Sequence, residues 1–197
     1  MIKLYVNVDG ILEEVEVEEV RLRLSWRNFV KELNLTADRK HENLLKIGRE
    51  VEARWAANQK PIFAGIIYEV NSYAGREEKV EALCRDYLAV FEKIILRTQY
   101  PPQTPGHRIV EEIVALASDY GVTGEGIQPA PELLSEMRFE NVSALEALAQ
   151  VARRTNYMLT VDPYKDVKFF PKAYGRSILI DPSLESTTLS GDPWESF

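Results

Sequence analysis

The hydrophobic period along this chain first changes at Pro101-Pro102-Gln103-Thr104-Pro105-Gly106. Before that segment apolar residues recur at every second position; directly after it they recur at helical spacing. A period of two sets alternate side chains on opposite faces of a half-buried strand, and a period near 3.6 makes the apolar stripe of a helix. Three prolines within six residues cannot continue either pattern, so the segment is expected to divide the chain.

The first part reads as strands. Ile2, Leu4, Val6 and Val8 alternate with Lys3, Tyr5 and Asn7, and Asp9-Gly10 is the pair favoured where a tight hairpin needs positive φ. Val15 and Val17 continue the alternation, Val20, Leu22, Leu24 and Trp26 form a second stripe, and Leu33 and Leu35 face away from Glu32 and Asn34. Val51, Ala53 and Trp55 follow Gly48. Residues 56–61 read as a turn, 62–70 as an apolar strand interrupted by Gly65, and 79–85 and 93–98 as further strands. Residues 86–91 could be helical without changing that pattern. Seven or eight strands at this spacing predict a barrel or sandwich.

The second part mixes helix and strand. Ile109, Ile113, Leu116 and Tyr120, widened by Val110, Val114 and Ala117, predict a helix capped by Thr104, with Pro105 at its first position and Gly121 at its left-handed end. Ser143 and Glu146 have capping-box spacing before a second helix over 144–152, with Arg153 and Arg154 suited to the negative end of its dipole. A hairpin follows: Tyr157, Leu159 and Val161 alternate, Pro163-Tyr164-Lys165-Asp166 turns, and 167–170 returns. Residues 177–180 read as one more strand, which either joins an existing sheet or opens a further domain. The expected fold class is therefore α+β. A β-barrel occupies 1–100 and a small α+β domain with two helices and a hairpin occupies 101–172. Residues 173–197 would be the start of a second, incomplete barrel or a tail.

Composition narrows the function. No apolar run approaches the ~20 residues a spanning helix needs, and the opening MIKLYVNVDG reads as a strand rather than a leader. Cys84 is the only cysteine, so no internal disulfide and no cysteine zinc cage can form. The net charge is −7, and Lys and Arg are scattered among Glu, which argues against tight nucleic-acid binding. The densest charge, Glu13-Glu14-Val15-Glu16-Val17-Glu18-Glu19, reads as a solvated strand face.

A catalytic reading finds little to build on. His41 lies in a charged loop and His107 in the first turn of a helix, both expected to be exposed; two separate histidines make a poor zinc site. Gly121-Val122-Thr123-Gly124-Glu125-Gly126 follows a helix and lacks the Lys-Ser/Thr ending of a phosphate loop, so a flexible connection is expected. Paired carboxylates remain, since a glycosidase needs only two acids. Asp86, following a strand at Cys84, is the most conspicuous, and Cys84 itself is expected to fill core. No catalytic, cofactor-binding or metal residue is nominated.

A set of segments in fixed order resembles the phage baseplate hub family, the late control protein D family. These are Gly48 leading into the strand at Val51, Phe63-Ala64-Gly65-Ile66-Ile67, Asp86-Tyr87-Leu88-Ala89-Val90-Phe91 and Tyr100-Pro101. Ile109-Val110, Phe139-Glu140-Asn141-Val142-Ser143-Ala144-Leu145-Glu146-Ala147-Leu148 and Thr155-Asn156-Tyr157 then follow. The resemblance spans roughly residues 1–172. It implies a tail-tube-like barrel, a small α/β domain and then a second barrel, related to the hub of type VI secretion spike proteins. It also implies a homo-oligomer, with a trimer favoured, that joins tail tube and spike in the virion after assembly in the bacterial cytoplasm. Tube and spike proteins would be its partners, with no cofactor, tight nucleic-acid binding or membrane contact. The chain departs from the pattern by stopping soon after Ile180, about where a second barrel would begin. Two other readings stay open: a tail-associated cell-wall hydrolase of glycosidase type, and a distal-tail or secretion-spike adaptor.

Overall fold

The computed structural model describes residues 2–24, 29–73 and 78–172. The alternating segments become strands β1 (Ile2–Val8), β2 (Ile11–Val15), β3 (Val17–Leu24), β4 (Lys31–Asp38), β5 (Glu50–Trp55), β6 (Pro61–Tyr73) and β7 (Lys79–Asp86). They form one antiparallel sheet in the order β2-β1-β5-β6-β7-β4-β3. Asp9 and Gly10 take φ of 52° and 89°, the paired left-handed turn whose twist matches a hairpin. Inward-facing Leu4, Val6, Leu33, Leu35, Phe63 and Ile67 are fully buried in one cluster, while Lys3, Tyr5 and Asn34 face out. The period of two thus selects the buried face.

The order of strands explains the curl. β2 and β3 are the two margins of the sheet, yet only Glu16 separates them in the chain. The sheet must bend until its margins meet at that residue. Among the described residues no ladder joins β2 to β3, so the barrel is open.

A 3-10 turn (Tyr87–Glu92) leads into the second layer. There β8 (Ile95–Tyr100), β9 (Thr104–Pro105), α1 (Gly106–Ala115), β10 (Thr123–Ile127) and β11 (Leu133–Leu134) precede β12 (Met137–Ser143), α2 (Ala144–Thr155), β13 (Tyr157–Val161) and β14 (Asp166–Pro171). The strands pair as β10-β14-β13, with β10 parallel to β14, and as β8-β12 and β9-β11. The fold class is α+β, as expected: a curled antiparallel sheet followed by a small two-helix region. The second hydrophobic cluster runs from Tyr87 through β8 and both helices, and it also takes in Val30 and, from β6, Ala64.

Local chemistry accounts for most of these elements. Ser143 Oγ accepts the Glu146 N–H at 3.1 Å and caps α2, and Asn156 ends it at a φ of 57°. α1 differs from expectation. Thr104 and Pro105 pair with Leu134 and Leu133 as strand, Thr104 Oγ1 donates to the Pro101 carbonyl, and the helix begins at Gly106 without a side-chain cap. It stops at Ala115, which leaves Leu116 and Tyr120 about half exposed rather than on the buried stripe. Gly121 does take the left-handed position, ending the short 3-10 turn Ser118–Tyr120. The glycine-rich segment after it is a strand, β10, because Thr123, Gly126 and Ile127 find register against β14. Trp26 and residues 177–180, both expected to lie in strands, fall outside the described residues.

Candidate functional site

Two features of the fold could act on other molecules: the seam between the layers and the open margins of the barrel. The seam is built around Asp86, the last residue of β7. It is one of two buried polar residues among those described, the other being Thr155. Its Oδ1 accepts the Leu88 N–H at 3.2 Å, which caps the 3-10 turn, and its Oδ2 accepts the Lys31 N–H at 3.0 Å from the start of β4. Lys31 Nζ in turn donates to the Val161 carbonyl at 2.7 Å, tying the barrel to the end of β13. A second tie lies nearby, where Lys165 Nζ, 4.9 Å from the Tyr87 ring centroid, meets Glu50 Oε1 at 2.5 Å. Arg85 forks onto Glu92 at 2.7 and 2.9 Å and lies over the Tyr68 ring. The turn of the β13-β14 hairpin is thereby held against β5 and the 3-10 turn.

Burial shapes the electrostatics of this seam. It pushes the Asp86 carboxyl up to about 7, against the opposing pull of the Lys31 N–H, the Lys31 charge and the Leu88 N–H. Burial also lowers Lys31, with Asp86 and Asp162 pulling the other way. A carboxyl whose folded pKa is raised favours the folded state most when protonated. Its contribution is full below the unfolded value near 3.8 and is lost as pH rises toward 7. Over that whole pH range the loss amounts to about 4 kcal/mol. Urea denaturation at pH 5 and pH 8 should therefore show Asp86→Asn gaining stability relative to the parent at the higher pH. Parallel pH profiles for the two proteins would refute the assignment.

The catalytic candidates are placed by the same geometry. Asp86 is 1% exposed and borders a cavity of only about 10 Å³, shared with Lys31, Ala64 and Asp162, too small for a sugar ring. Both its carboxylate oxygens are engaged, by the Lys31 and Leu88 N–H groups. Cys84 lies in the barrel core, where burial pushes its thiol up to about 12. The two histidines are half buried rather than exposed. His107 Nδ1 accepts the Ala130 N–H at 3.1 Å, which ties α1 to the segment before β11, and His41 sits in a 3-10 turn (Arg39–His41) with its Nε2 buried. Among the described residues, no group of three or more His, Cys, Asp or Glu could hold a metal ion. No helix there is long and apolar enough to cross a membrane. A cleft of about 280 Å³ opens beside the seam, lined by Leu12, Glu50, Glu52, Tyr87 and Tyr164 among others. Glu50 and Glu52 are already engaged by Lys165 and Arg54. The seam escaped sequence reasoning because Lys31 and Val161 lie 130 positions apart.

At the margins, Ile11 and Leu12 of β2 are 68% and 44% exposed, and Glu13 and Glu14 stand beside them in solvent. β3 presents Arg21 and Arg23 outward, with Glu18 and Glu19 nearer Glu16. The acidic stretch is solvated, as its composition suggested, and meets scattered cations: Lys3 with Glu14, Lys40 with Glu16, Lys79 with Glu18, Arg21 with Glu19. Such exposed pairs contribute about 0–1 kcal/mol each to stability.

No protein-family model and no curated protein sequence matches this chain. Solved structures do. The tail protein from Neisseria meningitidis MC58 superposes with a TM-score of 0.67 at 13% identity, over 89% of this chain and 52% of that one. The fold is shared with that tail protein. The 43 kDa tail protein of prophage MuSo2 from Shewanella oneidensis gives 0.64 at 13% identity, over 86% and 53%. The E. coli c3393 protein is a component of the type VI secretion system with structural similarity to T4 bacteriophage tail proteins gp27 and gp5. It gives 0.52 at 11% identity, over 89% and 46%. The chain spans about half the length of each of these structures. At such identities what is shared is the fold.

Proposed function

We propose that this chain is a structural, non-enzymatic component of a phage or prophage tail baseplate. It would be a hub-like module between tail tube and spike, assembled in the bacterial cytoplasm and working in the virion. Its partners would be tube and spike proteins and further copies of itself, with a trimer favoured; nucleic acid and membrane are not among them. The observation that carries this reading is the shared order of curled sheet and two-helix unit along most of the chain, in step with the segments that resemble the hub family. The seam suits the task. A module that transmits force needs its two layers locked together, and Asp86, Lys31 and Lys165 do that from three directions. Within this reading residues 1–100 are the barrel and 101–172 the small α+β domain, and the second hydrophobic cluster joins them by taking in Val30, Ala64 and the 3-10 turn along with both helices. Residues 173–197 would open a second barrel.

A secretion-spike adaptor is the second reading, favoured by the likeness to the type VI component. The cell-wall hydrolase loses ground, because its leading acid is sealed from solvent. Purified tail particles from the producing bacterium test the proposal. The protein is expected at the junction of tube and spike by immunogold labelling, and deleting its gene should leave tubes without spikes. Absence from the particles, or clearing of purified peptidoglycan by the protein alone, would sink it. Labelling of a secretion apparatus instead would select the adaptor.

A further inference from the structure

We infer that the cleft beside the seam is a binding site for a neutral pyranose, the ring unit of most polysaccharides. This goes beyond the proposed function, and neither reading depends on the other. One side of the cleft is the outer face of the barrel. Asn7 on β1 and Glu50 and Glu52 on β5 alternate with buried Val6 and Val51, so they stand on that face together. The other side is the β13-β14 turn, which contributes Tyr164 and Lys165, and Tyr87 reaches the cleft from the 3-10 turn.

Charge decides the first half of the ligand's chemistry. Lys165 Nζ meets Glu50 Oε1 at 2.5 Å, Asn7 Nδ2 donates to Glu50 Oε2 at 3.4 Å, and Arg54 forks onto Glu52 at 3.0 and 2.8 Å. Each carboxylate is matched by one cation. A charged ligand must break one of these pairs, whereas neutral hydroxyls can use the lone pairs and N–H groups that the pairs leave over. Because the polar groups already hold one another, little ordering is needed when a ligand arrives. Burial, with the Glu50 and Glu52 charges adding to it, pushes the Tyr87 phenol up, so it stays a hydrogen-bond donor at neutral pH.

An aromatic ring decides the second half. Tyr164 is 75% exposed, the most exposed large hydrophobic side chain among the described residues. Its backbone is nevertheless pinned, since its N–H donates to Asp162 Oδ1 at 2.8 Å and the Asp166 N–H donates to the same oxygen at 3.1 Å. A ring left in water on a fixed turn is a flat apolar platform at the rim of a polar cleft. A pyranose has the matching form, an apolar C–H face edged by hydroxyls. A wholly apolar ligand would leave the carboxylates and Asn7 without water or partner. At about 280 Å³ the cleft lies just below the roughly 300–1,000 Å³ of sites for drug-sized molecules, which suits a single ring. Both carboxylates are held by cations, so the cleft binds a sugar without a free acid to cleave it.

Titration of the nitrogen-15-labelled 197-residue chain with glucose, galactose and N-acetylglucosamine, followed by amide chemical shifts, tests this. At least one sugar should bind, with shifts gathered at Glu50, Glu52, Tyr87, Tyr164 and Lys165. Tyr164→Ala should weaken that binding about tenfold, and Tyr164→Phe, which keeps the ring, should retain it. Tyr73→Ala removes another exposed ring, at the end of β6, and should change nothing. Glucuronate and glucosamine, charged analogues of glucose, should bind more weakly than the neutral sugars. Tighter binding of a disaccharide (cellobiose, lactose or chitobiose) than of its single ring assigns a polysaccharide; equal binding assigns a free or terminal ring. Either result supports the inference. Absence of shifts with all three sugars overturns it, as do shifts confined to residues outside the cleft. Binding that survives Tyr164→Ala, or charged analogues that bind as tightly as the neutral ones, overturns it as well.

Discussion

Gly65→Ala is expected to destabilise the barrel by about 3 kcal/mol or more. The reason lies in how β6 crosses β7. A Cβ on residue 65 would overlap the Arg85 carbonyl oxygen and stand 2.7 Å from the Arg85 carbonyl carbon and 2.9 Å from Asp86 Cα. Those are backbone atoms of the paired strand, so no side chain can rotate away to make room. Relief requires β7 to move, and Asp86, which caps the 3-10 turn and binds the Lys31 N–H, moves with it. The substitution therefore strikes the barrel and the seam together. Thermal unfolding followed by circular dichroism should report a melting temperature lower by about 6–12 °C or more, on the scale of roughly 2–4 °C per kcal/mol for a chain of this size. A shift within two degrees would show that the two strands do not approach as closely as described.

Phe139→Ala is expected to cost about 4 kcal/mol, and the loss should fall on the second layer. Phe139 is 1% exposed and meets the Tyr100 ring edge-on at a centroid distance of 6.1 Å. It lies on β12 directly opposite Thr98 of β8, under α2. Removing the ring leaves a cavity that the surrounding Leu and Val side chains fill only in part. Urea denaturation gives the cost, and hydrogen exchange locates it: amides of α2 and β8 should lose protection before those of β1 and β5. Equal loss of protection in both layers would mean that the seam couples them into one cooperative unit. A ΔΔG below about 1 kcal/mol would show that the ring is not packed as described.

Several segments that carry the resemblance to the hub family prove to be residues with structural duties. Phe63 and Ile67 fill the barrel, and Gly65 between them permits the close crossing. In the segment 139–146, Phe139 fills the second core and Asn141 takes a φ of 55° at the bulge between β8 and β12. Ser143 then caps α2. In the segment 86–91, Asp86 caps the 3-10 turn, and Tyr87 and Phe91 are buried. Such residues stay legible without any partner in view because each satisfies a local rule: a left-handed φ, an orphan N–H, a buried ring.

Period, turn chemistry and capping signals were enough to mark the strands of the barrel, the hairpin at Asp9-Gly10 and the start of α2, because each depends on residues only a few positions apart. Other features depended on contacts that no local pattern encodes. β10 is a strand because β14 lies beside it, although its glycines read as a loose connection. Leu116 and Tyr120 fit a helical stripe, yet α1 ends before the stripe is complete. The seam at Asp86, Lys31 and Lys165 exists only once the β13-β14 hairpin is laid against the barrel, across more than a hundred residues of chain. Local rules choose the elements. Burial and pairing between distant segments decide which charges meet, which edges stay open and where one layer ends.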